Sequence, residues 1–284
     1  MDAKKIRLTK ENETYLPTLY GKALDAASDN PILGDRWAAE AVARIDHDFK
    51  KWKIENGGEI TLAMRALHLD QWTRAFLAEN PESTVLHLGC GLDARVYRID
   101  PGPKVRWFDV DLPDVIALRE QLYPEREGYR RIGASVTDLS WLDAILGDTP
   151  VFVVAEGLTM YLPERDGTAL LRRITEQFPS GQIAFDGYSG AMVRLMSRLM
   201  KIRGMKIQLV WGIDDPRDLE SQVPRLRLVE DVAFLTMPEL VRRLSKNWLS
   251  GLLQGYIGRL PAYRRLIRHV RYTFSGAPAP KSAG

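Results

Sequence analysis

The chain has 284 residues, 45% of them hydrophobic and 27% charged. These values lie near the averages of folded soluble domains and exclude a disordered, collagenous or disulfide-scaffold protein. Its one cysteine, Cys90, has no partner for an intrachain disulfide, and the start MDAKKIRLTKENETY holds no apolar stretch of the signal-peptide kind, so a cytoplasmic location is expected. Apolar runs such as Val151–Ala155 stay far below the ~18 residues of a membrane span. The formal net charge of +3 is unevenly spread: nine Lys or Arg and no Asp or Glu follow Glu239, leaving 31 basic against 37 acidic residues in positions 1–239. The basic stretch mixes its charges with Leu, Ile and Trp at helical spacing, the pattern of solvated helix faces, so nucleic acid is not an expected partner.

In chain order, the first eighty residues read as helical. Within Thr61 to Glu79 the apolar positions Leu62, Ala66, Leu69, Trp72 and Phe76 recur three or four apart, one buried helix face, and Pro81 stops the helix. Short β-rich runs then alternate with helical stretches: Thr84 to Leu88, Lys104 to Val110, Tyr129 to Ser135, Val151 to Ala155 and Gln182 to Phe185. That alternation predicts an α/β protein with a mostly parallel sheet covered by helices on both faces. Val151 to Ala155 lacks polar alternation, as a strand buried on both sides should. Leu226 to Leu235 and His269 to Phe274 predict a closing antiparallel pair. Residues 188–225 read as an insertion, a Met-rich amphipathic helix followed by the polar stretch WGIDDPRDLESQVP, and GAPAPKSAG as a loose tail. The expected organisation is a helical N-terminal cap (1–80), a core (81–275) carrying a lid at about 188–225, and the tail (276–284).

The chemistry concentrates in TVLHLGCGLDARVYRID. A strand running into Gly89-Cys90-Gly91 lets the backbone turn sharply and approach a ligand at the carboxyl edge of a parallel sheet. Asp109 and Asp111 follow Gly89 by 20 and 22 residues, at the end of the next strand, where an acid can accept hydrogen bonds from a ribose diol. On their own, such a turn and acid suit NAD as well as S-adenosylmethionine (SAM).

The wider pattern narrows the choice. LGCGLDARVYRID, WFDVDLPDVIALREQLYP and VFVVAEGLTMYLPE, in that order, resemble the leucine carboxyl methyltransferase family of SAM-dependent methyltransferases. The N-terminal NETYLPTLYGKALDAASDNPILGDRWAAEAVARIDHDF is most similar to its bacterial branch of tetracenomycin-type polyketide O-methyltransferases. The resemblance spans about residues 8–240. It implies a Rossmann-like class I SAM methyltransferase fold with a seven-stranded sheet, SAM as cofactor, and cofactor roles for individual residues. Arg65 would meet the methionine carboxylate, where a guanidinium fork suits two oxygens. Gly89 and Gly91 would form the cofactor loop, Asp111 would hold the ribose with Asp109 beside it, and Ser135 and Val136 would flank the adenine, although the family often has an acid in place of Ser135. Glu156 would face the methionine amino group; a carboxylate ending a buried strand is costly without such a partner.

Tyr161, five residues beyond Glu156, is the candidate to line the methyl-transfer centre. Acceptor binding is expected from Tyr15, Tyr20 and Lys22 of the cap and from Tyr188, Arg194, Arg198 and Trp211 near or within the insertion, because aromatic walls with a few cations suit a planar acidic metabolite. Met192, Met196, Met200 and Met205 read as core or lid packing able to adapt to a flat apolar molecule. The histidines His47, His68, His87 and His269 show no metal-ligand spacing, and no metal is expected. The expected reaction is methyl transfer to a carboxylate or hydroxyl oxygen of a small aromatic or polyketide-like metabolite. A carboxylate, with a pKa of roughly 4, needs no general base; a phenol near 10 would gain from one. A methyltransferase acting on a protein C-terminal carboxylate or RNA, and a silent SAM-binding scaffold, are the alternatives.

Overall fold

The computed structural model describes residues 6–7, 15–54, 57–202, 208–245 and 254–276. Met205 and the expected tail beyond residue 276 lie outside the described residues. At the N-terminus, β1 (Ile6–Arg7) pairs in parallel with β2 (Ile45–Asp46), a two-residue contact that no periodicity announces. Between them lie α1 (Leu16–Ala26) and α2 (Arg36–Arg44). The Asp35 carboxylate caps α2 by accepting from the Ala38 amide at 3.1 Å. Next comes α3 (Gly58–Glu79), which runs through the predicted helical segment and ends at Asn80, just before Pro81.

The main sheet contains β3 (Thr84–Leu88), β4 (Arg106–Asp111), β5 (Tyr129–Gly133), β6 (Val151–Ala155), β7 (Gly181–Tyr188), β8 (Arg227–Ala233) and β9 (Ile267–Phe274). The seven strands stand in the order β5-β4-β3-β6-β7-β9-β8. The first five are parallel, and β9 runs antiparallel to both neighbours. The expected parallel sheet with a closing antiparallel pair is therefore present, with β3 and β6 at their expected bounds and the other strands shifted by up to three residues. Two corrections come at the ends: β5 stops at Gly133, and β7 extends to Tyr188 because Ile267 pairs with it.

Connecting helices are α4 (Arg95–Ile99), α5 (Pro113–Leu122), α6 (Glu164–Gln177), α7 (Gly190–Ile202), α8 (Asp218–Gln222) and α9 (Pro238–Leu244). Pro113 opens α5, where its missing amide donor is harmless. β6 explains the two-sided core. Val151, Val153 and Ala155 pack with Leu170, Ile174 and Phe178 on one face, while Phe152 and Val154 pack with Leu69, Trp72 and Phe76 of α3 on the other. Each such Val, Leu, Ile or Phe side chain contributes about 1.5–3 kcal/mol on burial. A third cluster joins Leu16, Leu19, Ala38 and Phe49 to Leu92, Leu118, Leu122 and Tyr123, so α1 and α2 settle over the Gly89–Asp93 loop and α5. None of the described helices is long and apolar enough to cross a membrane.

Candidate active site

The carboxyl ends of β3, β4, β6 and β7 bring together the loop Gly89–Asp93, Asp111, Glu156 and Asp186, the edge at which open α/β sheets hold ligands. A cavity of about 350 Å³ opens there. Its lining includes nine of the residues expected from sequence: Tyr15, Lys22, Arg65, Gly89, Gly91, Asp111, Glu156, Tyr161 and Tyr188. Gly89 and Gly91 have φ of +58° and +48°, and a Cβ on Gly89 would stand 2.8 Å from Leu158 Cδ1. These left-handed, close-packed positions favour glycine. Asp111 accepts from the Gly91 amide through Oδ2 and from the Leu112 amide through Oδ1, both at 2.7 Å. Burial raises its pKa against those two amides.

Glu156 is the centre of a buried ionic network. Arg65 Nε donates to its Oε1 at 3.2 Å, Arg95 Nη2 donates to its Oε2 at 2.5 Å, and Lys22 Nζ lies 3.2 Å from Oε1. Burial would raise the Glu156 pKa, but Lys22, Arg65 and Arg95 outweigh it and hold the carboxyl well below the usual range. Each cation has a second acid: Lys22 meets Asp93 at 3.2 Å, Arg95 meets Asp70 at 2.7 Å and Arg65 meets Asp186 at 3.5 Å. Arg98 closes the network on Asp35, Asp70 and Asp93. Sequence reasoning missed Asp70, Asp93, Arg95, Arg98 and Asp186. Two carried a readable signal: Asp70 falls on the apolar face of α3, and Asp186 interrupts the apolar run IAFDGY, so each needed a buried partner.

Several expected residues take other places. Lys22, expected at the acceptor, sits 1% exposed between Asp93 and Glu156. Tyr15 lies over the glycine loop, its Cβ 3.4 Å from where a Gly91 Cβ would be, and its buried hydroxyl has no hydrogen-bond partner among the described residues. Tyr20 turns away from the cavity onto Phe49, ring centroids 5.4 Å apart. Trp211 is core: a Cβ on Gly167 would stand 2.1 Å from its ring, which leaves it no route to the cavity. Arg194 and Arg198 are exposed because α7 turns Val193, Met196 and Met200 inward, and residues one or two positions from an inward one on a helix point elsewhere. Asp109 lies fully buried beneath the loop and accepts from His87, Trp107, Tyr129 and Arg119. Burial would raise its pKa, but Arg119 and the hydrogen bonds from His87 and Tyr129 hold it well below the ordinary range. Ser135 bonds Thr137 at 2.8 Å and Val136 packs with Trp141 in the core; on this side the cavity lining consists of Leu112, Asp114 and Val115 instead.

The other end of the cavity is apolar, walled by Met160, Met196, Met200 and Leu209 beside Tyr161 and Tyr188. Burial raises both phenols, Tyr188 to about 12, so they stay protonated at neutral pH and each hydroxyl is able to donate. Cys90 is buried in the loop, where burial pushes its thiol up. His68 and His269, far apart in sequence, meet with Nδ1 atoms 2.7 Å apart. Among the described residues no three metal-ligating side chains converge.

This strand order, with a glycine loop after the sheet's central first strand and an acid at the end of the next, defines a class I SAM-dependent methyltransferase. Solved structures agree on the fold. One assigned as a methyltransferase from Thermobifida fusca YX superposes with a TM-score of 0.58 at 15% identity, covering 90% of this chain and 94% of that one. A DUF574 family protein from Streptomyces avermitilis gives 0.55 at 16% identity, covering 90% and 97%. In sequence, the leucine carboxyl methyltransferase profile matches residues 8–175. The chain is 44% identical to the tetracenomycin polyketide synthesis O-methyltransferase TcmP of Streptomyces glaucescens, over 95% of this chain and 98% of that protein. It is 36% identical to the SAM-dependent methyltransferase dpfgK of Gibberella zeae, over 89% and 91%. The chain belongs to the leucine carboxyl methyltransferase family.

Proposed function

We propose that this protein is a SAM-dependent O-methyltransferase whose acceptor is a small polyketide-like molecule bearing a carboxylate or acidic hydroxyl. The observation that carries the reading is one cavity with two chemically distinct ends, ionic at Glu156 and apolar at the methionines. The ionic end fits SAM: a glycine loop at positive φ, closed against Leu158, lines it together with Asp111 and Glu156, and the buried Tyr15 hydroxyl beside the loop has no hydrogen-bond partner among the described residues. Asp111 would take the ribose diol, and Arg65, Lys22 and Glu156 the charged methionine end. When bound, SAM supplies a methyl group made electrophilic by its sulfonium.

The remaining work belongs to the chain. Met160, Met196, Met200 and Leu209 exclude water from the acceptor end, and positioning in a dry site dominates when opposite charges cancel on reaction. Tyr161 and Tyr188 stay protonated there and can donate to the acceptor oxygen. Neither phenol, nor the Arg65 guanidinium beside Tyr188, is suited to take a proton at neutral pH. A carboxylate arrives ionised; a phenol of pKa about 10 would have to ionise unaided. In this reading residues 1–80 act as a cap, 188–225 as a lid over the acceptor, and the protein works in the cytoplasm.

The test is calorimetric titration with S-adenosylhomocysteine (SAH), NADH serving as control and Asp111→Ala and Glu156→Ala beside wild type. Micromolar SAH binding lost in both variants supports the site, and indifference to both substitutions overturns it. A screen with methyl-labelled SAM over aromatic carboxylic acids and matched phenols then tests the acceptor class; label transfer to neither would refute it.

A further inference from the structure

The cofactor loop is held from behind by a single helix. Arg119 on α5, fully buried, donates through Nη1 to the carbonyls of Gly91 and Asp93, both at 2.8 Å. Tyr123, at the end of the same helix, donates its hydroxyl to the carbonyl between them, Leu92, at 2.6 Å. Three consecutive loop carbonyls are therefore drawn onto one helix. The guanidinium is itself fixed: Nη2 pairs with Asp109 and bonds the Tyr129 hydroxyl at 3.2 Å, and its carbon lies 5.3 Å over the Tyr123 ring. On the opposite side the Gly91 amide donates to Asp111, which stands two residues before α5 begins. Thus α5 carries the acid at its entrance and the carbonyl clamp in its last turns.

We infer that Arg119 and Tyr123 are positioning residues for cofactor binding: by holding the carbonyls of residues 91–93 they keep the glycine loop in its ligand-ready shape. The need for a clamp follows from the loop's conformation. Gly89 and Gly91 both sit at positive φ, a region that glycine reaches readily and also leaves readily, so the residues themselves do not lock it. A carbonyl released from α5 would lose its fixed orientation, and the loop would sample shapes unable to bind. Affinity falls in proportion to the fraction of loops left competent. Neither side chain need touch the cofactor; Arg119 and Tyr123 lie behind the loop, outside the cavity lining. The inference rests on the proposed SAM site and adds what holds that site in register.

The test compares three variants of the full chain by SAH titration and thermal unfolding. Tyr123→Phe deletes one hydroxyl and keeps the ring. Arg119→Lys keeps a cation but can serve fewer acceptors. Tyr272→Phe is the matched control, a buried hydroxyl that donates to the Pro216 carbonyl at 2.6 Å with no bond to the loop. Tyr123→Phe should weaken SAH about three- to tenfold, the scale of one buried hydrogen bond, and Arg119→Lys should weaken it further. Tyr272→Phe should lower the melting temperature comparably and leave SAH binding within about twofold of wild type, the scatter such titrations allow. Wild-type affinity in folded Tyr123→Phe overturns the clamp while sparing the cofactor site, and so does equal weakening in Tyr272→Phe. A wild-type protein that fails to bind SAH overturns both readings.

Discussion

Replacing Asp109 and Asp111 separately by Asn should cost mainly stability at Asp109, with a smaller loss of SAH affinity through the freed Arg119, and mainly cofactor binding at Asp111, although the two stand two residues apart on β4. Asp109 is wholly buried, and both its oxygens are committed: Oδ1 accepts from Trp107 Nε1 at 2.9 Å and lies 3.0 Å from His87 Nδ1, while Oδ2 accepts from Tyr129 at 2.6 Å and from Arg119. An amide puts an NH2 where one oxygen was, so a donor would face donors, and Arg119 would lose its carboxylate. Removing one partner of a buried pair costs about 3–5 kcal/mol. A chain of this length loses roughly 1 °C of melting temperature per 0.6 kcal/mol, so Asp109→Asn should melt about 5–8 °C lower. Asp111 accepts two backbone amides at the cavity edge, and Asn can keep one of them, for a loss of about 1 kcal/mol or about 2 °C. Losing its charge-assisted bonds to the ribose should weaken SAH by about 10- to 150-fold, the equivalent of 1.5–3 kcal/mol. Differential scanning fluorimetry and calorimetric titration read the two quantities. A lower melting temperature for Asp111→Asn than for Asp109→Asn, or wild-type SAH affinity in Asp111→Asn, would refute the argument.

Three further outcomes follow from the same geometry. Burial lowers the pKa of His68 and His269, so below about pH 6.5 the unfolded chain takes up more protons, and stability present above that pH is lost as pH falls toward the folded values. The slope can reach about 2.7 kcal/mol per pH unit for two protons, and His269→Leu should flatten it between about pH 5 and 6.5 in denaturant titrations; an unchanged slope removes the pair as its source. Met200→Trp should overfill the apolar end and raise the acceptor KM about tenfold or more with SAH affinity intact, since a packed wall resists added volume; equal weakening of SAH would move Met200 out of the acceptor end. Arg194→Ala and Arg198→Ala, exposed on the outer side of α7, should leave acceptor KM and SAH affinity within about twofold of wild type, as surface substitutions do, and a raised KM in initial-rate assays would bring them back into the site.

Much of this protein is legible in its residues because the relevant signals are local. Seven strand segments stand out by β-rich composition, α3 by its three-and-four spacing, the glycine loop by its flanking strand, and Asp111 and Glu156 by ending strands where an acid needs a reason to be. What failed to show was everything that depends on which elements meet. The inward side of α7 belongs to Met196 and Met200, while Arg194 and Arg198 one or two positions away are left outside. Lys22 could not be placed beside Glu156 without knowing that α1 lies over the end of β6, and Trp211 could not be assigned to the core without the close approach of Gly167. His68 and His269 are 201 residues apart and touch only because α3 packs on the sheet beside β9. Hydrophobic period and turn chemistry act over a few residues and are written in the order of amino acids; ion pairs, cavity walls and loop clamps act across space, and the packing of helices on the sheet selects among the partners the chain makes available.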